Sequence, residues 1–313
     1  MKTIGTSKFI ALTLVLLALL VVSLTPDAAA EPEAFFDTSG FIYVRYNSNR
    51  VFRPQPSDKA ESYTMIDAGT ALRVRPVAGT DYAETYYNGQ IGYVKHVNFK
   101  TADASELGRL ERGEIYVHTQ TQLLSSANGG AELATIPANT LLLLHESVAG
   151  MYKVDYADEG MTGYVSANDT WAFPTSAVKY YLFADKAHHM LFVCEANADG
   201  TRGKTIVRRV PTSFGKYTTP SIPGKYTITS RERWHYFSPS YAPFVIKYIG
   251  AKYLHGPLYK DTDEDTLSGK KTNVIGQDVT GGCLRMAYED ALWIYYNCAE
   301  GTTLQIVTSS TLK

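Results

Sequence analysis

Cys283 lies in the run Thr280-Gly281-Gly282-Cys283-Leu284-Arg285-Met286. Two glycines ahead of a thiol let the backbone approach a ligand closely and leave amide N–H groups bare. Such amides near a helix start can stabilise a thiolate and a developing oxyanion, and Arg285 adds positive charge. Taken by itself, the run is a nucleophile or a glycine turn around a buried thiol. Cys194 closes the apolar stretch Met190–Val193 and Cys298 follows a helical stretch, so both read as small core residues. A Cys194–Cys298 disulfide is permitted in a secreted chain but demanded by no spacing. Of seven His, His96, His118 and His145 fall among ordinary strands, and His188-His189 fall at a turn. His235 sits in Trp234-His235-Tyr236-Phe237, read as an aromatic loop in which Trp234 and Tyr236, with Tyr241, wall a cleft or simply pack. His255 ends a strand next to Gly256, where an imidazole can face a cleft as a general base. No His-x-x-x-His and no Cys-x-x-Cys occurs, so neither a metal nor another cofactor is expected.

These groups need rigid elements to hold them. From Val178 the pattern gives a hairpin over Tyr180–Cys194 turning at 185–188, then a strand over Thr205–Val210. The turn-rich loop Ser213–Gly224 and a strand over Lys225–Thr229 follow. The apolar strand Phe244–Ile249 leads through Lys252-Tyr253-Leu254 into His255. One helix is expected over Tyr288–Tyr296, with Glu289 and Asp290 in its first turn and Leu292, Tyr295 and Tyr296 on one face. Gly301 stops it ahead of a last strand over Thr303–Val307. Asp261–Asp265 holds four acids in five positions and reads as a solvated loop, or alternatively as a lid over the cleft.

Upstream, two blocks end alike: Tyr86-Tyr87-Asn88-Gly89-Gln90-Ile91-Gly92-Tyr93-Val94 parallels Asp155–Val165, and Asn88-Gly89 is a strong hairpin signal. The blocks predict tandem small β-barrels over 36–101 and 112–173, joined by the polar linker Lys100–Arg112. Residues 1–30 have the three-part build of a secretory leader: Lys2 and Lys8, the apolar run Phe9–Val22, and Ala28-Ala29-Ala30 as a cleavage site. An uncleaved anchor is the alternative. The expected location is therefore beyond the cytoplasmic membrane, in the cell wall or periplasm. Composition agrees with a folded, strand-rich chain: 313 residues, 45% hydrophobic, with 23 Tyr and 24 Gly. Thirty basic against 31 acidic residues leave a charge of −1, which argues against a nucleic-acid partner.

Four separated segments resemble the L,D-transpeptidase catalytic domain (YkuD type). They are Ser213-Phe214-Gly215-Lys216 through Thr219–Tyr226; Tyr253-Leu254-His255-Gly256; Thr280–Met286; and Glu289–Ile294 through Thr303. The resemblance covers about 178–308, and the expected domain spans 178–309. The "Gly-Tyr-Val" strand of each upstream block is similar to bacterial SH3-like modules, which implies wall binding or a spacer role. The expected fold is mainly β: two small SH3-like barrels followed by an L,D-transpeptidase β-sandwich with one main helix. The resemblance implies a peptidoglycan tetrapeptide stem as substrate, a thioester on Cys283, and His255 as base with its second nitrogen on the Gly256 carbonyl. An oxyanion would rest on N–H groups around Gly282 and Cys283, and carbapenems would acylate the thiol. Arg285 would bind a substrate carboxylate, or form an ion pair at the helix start. Gly281 stands where the family usually has a His. A hydrolase on the same stems, or a non-catalytic wall-binding protein, are the alternatives.

Overall fold

The computed structural model describes residues 40–108, 110–156 and 159–312; the leader expected over residues 1–30 lies outside them. The chain is mainly β, with one α-helix among the described residues. No helix among them is long and apolar enough to cross a membrane.

The first block folds as β1 (Ile42–Tyr46), β2 (Arg50–Phe52), β3 (Thr64–Ile66), β4 (Ala71–Pro76), β5 (Tyr82–Tyr87), β6 (Gln90–Lys95) and β7 (Phe99–Thr101). Five strands form a sheet in the order β6-β5-β4-β1-β7, and β2 pairs β3. The second block comprises β8 (Glu114–Val117), β9 (Thr121–Leu124), β10 (Glu132–Ile136), β11 (Thr140–Val148), β12 (Met151–Tyr156), β13 (Met161–Ser166) and β14 (Thr170–Trp171). These seven form one sheet, β10-β9-β13-β12-β11-β8-β14. Each block has a core of its own, around Phe52, Leu72 and Val94 in the first and Ile115, Leu142 and Val165 in the second.

The repeated Gly-Tyr-Val has a physical cause. A Cβ on Gly92 would stand 2.6 Å from the Phe52 ring, and one on Gly163 would stand 2.8 Å from Leu123 Cγ. Only glycine lets a core side chain lie flat against the strand at these two places. The tyrosine then turns outward and the valine inward, as period-2 alternation requires: Val94 and Val165 are fully buried.

The third segment contains two sheets. One has the order β17 (Arg202–Pro211), β16 (Met190–Ala196), β15 (Tyr180–Asp185), β25 (Thr303–Val307), β19 (Gly224–Thr227). The other has the order β20 (Ser230–Phe237), β21 (Ser240–Ile249), β22 (Lys252–His255), β24 (Leu284–Arg285). A short parallel pair, β18 (Phe214–Gly215) with β23 (Asp278–Thr280), lies beside them. Leu182, Leu191, Val193 and Leu304 from one sheet share a core with Phe244, Ile246, Leu254 and Leu284 from the other. At about 1.5–3 kcal/mol per fully buried aliphatic or aromatic side chain, this shared core is what holds the sheets face to face.

Helix α1 (Tyr288–Asn297) buries Ala291, Leu292, Ile294, Tyr295 and Tyr296, a broader face than the three-residue stripe expected. Ala287 provides no side-chain cap. Acids in the first turn compensate, and Asp290 also pairs with Arg208 at 3.0 Å. One expectation is corrected here. Residues 230–237 form strand β20 rather than a loop, because all but one of their positions register on β21. Cys194, Cys283 and Cys298 are all free, so no disulfide links Cys194 to Cys298.

Candidate active site

Strands β22 and β24 run parallel, with Leu254 opposite Leu284 and His255 opposite Arg285. Extending that register by one residue sets Cys283 beside Tyr253. Side chains two apart on one strand share a face, so Tyr253, His255, Cys283 and Arg285 project to the same side. Cys283 and His255 are diagonal neighbours across the pair, a spacing that side chains of this size can bridge.

His255 is fixed by its own backbone neighbour. Its Nδ1 lies 2.6 Å from the Gly256 carbonyl oxygen. A carbonyl only accepts, so Nδ1 carries the proton and Nε2 keeps a free lone pair. Gly256 is anchored in turn by its N–H to Pro243 O at 3.1 Å. The Phe237 ring lies 5.0 Å from the imidazole. Burial pushes the His255 pKa down to about 4, against the Gly256 bond that favours the charged ring; Arg285 and His235 push the same way as burial. Burial raises the Cys283 thiol, opposed by a backbone N–H bond at Tyr253 and by the charges of Lys252 and Arg285. Both shifts favour the neutral forms, so the resting site is a thiol beside an imidazole rather than an ion pair.

The turn carrying the thiol is fixed from several sides. Thr280 Oγ1 accepts from Gly282 N–H at 3.2 Å and donates to Cys283 O at 2.6 Å. The Gly282 carbonyl accepts from Ser221 Oγ and Tyr248 Oη, each at 2.9 Å. The Gly281 carbonyl accepts from Lys252 Nζ. In a trans peptide the N–H points away from the carbonyl, so the hydroxyls on Gly282 O aim the Cys283 N–H the other way. Among the described residues that N–H has no protein acceptor. The Ser213–Ser221 loop reaches the turn because Gly215 lacks a side chain: a Cβ there would stand 2.7 Å from Gly282 Cα. A Cβ on Gly281 would meet open space, so nothing steric requires glycine there.

Arg285 is 3% exposed. Its Nη2 donates to Val274 O at 3.0 Å, and its Nε is buried without a partner. The structural ion-pair alternative is therefore overturned: among the described residues no acid pairs with Arg285, and Arg208 holds the helix start instead. Trp234 is corrected as a cleft residue, and Tyr236 lies at the strand parity away from His255. Trp234 is 3% exposed with its ring edge-on to Tyr259, while Tyr236 is exposed and pairs with Tyr241. The aromatic groups that approach the imidazole sit at the other parity of the strand: Phe237 contacts His255, and His235 contacts Tyr253. The acidic loop is no lid over the thiol. Glu264 is held by Arg233, and Asp263–Asp265 line a cavity of about 660 Å³ with Leu107, Arg112 and Tyr288, away from Cys283 and His255. In that cavity Glu114 and Glu264 are both held by Arg233, and Asp155 by His145. Ser221, Tyr248 and Lys252 are the functional candidates that residue type and spacing did not single out. Among the described residues no cluster of His, Cys, Asp or Glu could hold a metal ion.

Residues 179–306 match the family of the L,D-transpeptidase catalytic domain, YkuD. Similar solved structures include a fused Zn-dependent amidase/peptidase/peptidoglycan-binding domain-containing protein from Clostridium acetobutylicum, 17% identical over 43% of this chain and 54% of that one, with a TM-score of 0.34. An L,D-transpeptidase from Stackebrandtia nassauensis is 14% identical over 44% of this chain and 59% of that one, with a TM-score of 0.32. An L,D-transpeptidase from Mycobacterium tuberculosis is 19% identical over 56% of this chain and 70% of that one, also with a TM-score of 0.32. The chain thus spans between half and two thirds of the first two relatives. No curated protein matches the sequence.

Proposed function

We propose that this chain is a secreted cysteine L,D-transpeptidase acting on the tetrapeptide stems of peptidoglycan. The observation that carries the reading is the placement of Cys283 and His255 on one face of adjoining parallel strands, with Nδ1–H of His255 committed to Gly256 O. That leaves Nε2 free to take the thiol proton as sulfur attacks the carbonyl of the third stem residue. The tetrahedral oxyanion lodges against the Cys283 N–H. Collapse breaks the L-to-D amide; the imidazolium returns its proton to the departing D-amino acid, and an acyl thioester remains. The amine of a second stem then attacks the thioester and gives its proton to His255, and the thiolate is regenerated and reprotonated. Water in place of the amine gives the hydrolase outcome. Arg285, buried with its Nη2 on Val274 O, contributes positive charge beside the thiol rather than a surface for a stem carboxylate. The two upstream β modules are read as SH3-like wall-binding units, and export follows from the residue 1–30 pattern.

Intact-mass spectrometry with a carbapenem and with a tetrapeptide stem tests the reading. The expected result is an adduct on the wild type, none on Cys283→Ala, and slow formation on His255→Ala. Release of the terminal D-residue with a cross-linked product indicates transfer, and release with a free tripeptide indicates hydrolysis. A folded wild type that forms no adduct with either compound overturns the enzymatic reading and favours a wall-binding protein.

A further inference from the structure

We infer that Lys252 is a positioning residue for Cys283, its ammonium both tying down the Gly281 carbonyl and supplying the positive charge that favours the thiolate during attack. The inference rests on reading Cys283 as the nucleophile. Lys252 opens β22, one residue before Tyr253, so it flanks Gly282 across the parallel pair. Its Nζ donates to the Gly281 carbonyl. Its stem lies on the turn: a Cβ on Gly282 would stand 2.9 Å from both Nζ and Cε of Lys252, and Gly282 has φ +107°. Glycine at 282 thus serves two needs, a left-handed backbone and room for the lysine.

The titratable groups electrostatically facing Cys283 are few. Tyr248 comes from β21, Lys252 and Tyr253 from β22, and Arg285 from β24, while His255 lies diagonally across the strand pair. Tyr248, Tyr253 and His255 are all shifted toward their neutral forms, so Lys252 and Arg285 remain as cations. Arg285 is committed to Val274 O and sealed in the core. Lys252 is only partly buried, and from its bond to the Gly281 carbonyl its charge already acts on the Cys283 thiol. An opposite charge a few Å away moves a thiol pKa by about one to three units. Partial exposure of Lys252 places its effect at the low end, about one unit.

The test is the pH profile of iodoacetamide alkylation at Cys283 in the full chain, followed by intact mass, with Cys283→Ala as blank. Lys252→Met is expected to raise the alkylation midpoint by about one unit and to slow alkylation at neutral pH about three- to tenfold, the range allowing for the greater nucleophilicity of a more basic thiolate. Lys252→Arg should restore both. Lys252→Gln keeps a donor for the Gly281 carbonyl without the charge. It should shift the midpoint like Met while holding the turn, and it serves as the folded reference if Lys252→Met is unstable. Superimposable profiles for the wild type and a folded Lys252→Gln would overturn the inference. The two readings fail separately. A wild type that alkylates normally but forms no acyl adduct defeats the enzymatic proposal and leaves Lys252 in place, whereas acylation with an unshifted Lys252→Gln profile does the reverse.

Discussion

At the residue scale, the site pairs two groups that burial keeps neutral. A base with a pKa near 4 is available across the neutral range, so the acid limb of Cys283 acylation should fall well below the ordinary imidazole value of about 6.5. A rate-against-pH profile that bends near 6.5 would contradict this environment. The same shift bears on stability. Because the folded pKa lies below the unfolded one, the unfolded chain binds the extra proton between them. His255 therefore contributes stability above about pH 6.5 that is lost as pH falls toward 4, about 3 kcal/mol at full shift. Denaturation of His255→Gln against pH should show a correspondingly shallower slope over that window. The hydroxyl of Tyr248 gives a second prediction. Tyr248→Phe leaves the Gly282 carbonyl with only Ser221 Oγ and should slow acylation roughly 10-fold, less than the roughly 100–1000-fold loss of a direct oxyanion donor, while leaving alkylation of the thiol near wild type. Cys283 and His255 stand out as candidates in the sequence because each lies beside glycine, and the Gly256 bond to His255 follows there only from the family resemblance. Ser221, Tyr248 and Lys252 do not stand out, since each acts on a carbonyl dozens of residues away and has an unremarkable local context.

At the scale of elements, the sequence conveyed the hairpin at 180–194, the helix and the strand entering His255, because each has a single dominant period. It misled at β20. An aromatic run without polar alternation reads as a loop, which is why Trp234 and Tyr236 read as a cleft wall. The run lacks alternation because Arg233 and Trp234, adjacent in sequence, are both buried. Once the segment is a strand, parity assigns Phe237 rather than Tyr236 to His255. The Gly-Tyr-Val repeat was visible as text, but the reason for its glycine lies in a contact only the fold supplies. Gly163→Ala would drive a methyl into Leu123 and the Leu124 carbonyl, both 2.8 Å away. It should destabilise the chain by about 1–3 kcal/mol, an ordinary overpacking cost, read from the midpoint of urea denaturation at unchanged slope.

At the scale of the molecule, the upstream blocks are structural partners of the third segment as well as neighbours in sequence. Tyr116 of the second block joins the core of the third, stacked 5.9 Å from Tyr296. Arg233 of β20 binds Glu114 of β8 at 2.6 Å, with both side chains almost wholly buried, and also holds Glu264. Removing the guanidinium would leave Glu114 charged in the interior. Arg233→Ala is therefore expected to cost about 3–5 kcal/mol, and calorimetry should show the second block and the third segment losing their transitions together. None of these long-range contacts could be read from linear sequence, which presents the blocks as beads on a string.

The Asn88-Gly89 turn of the first block rests on the outer edge of β20. Asn88 O accepts from Arg233 N–H at 3.0 Å, and the Asn88 side chain bonds both backbone groups of Trp234 at 2.9 Å. β20 is the last strand of its sheet on that side, and an unpaired last strand is a template for another chain. A fragment beginning at Val178 would keep Cys283 and His255 yet uncover this template, and should self-associate through it at concentrations where the longer chain stays dispersed. The hairpin tip thus acts as a built-in stopper that keeps one molecule's sheet from being continued by the next.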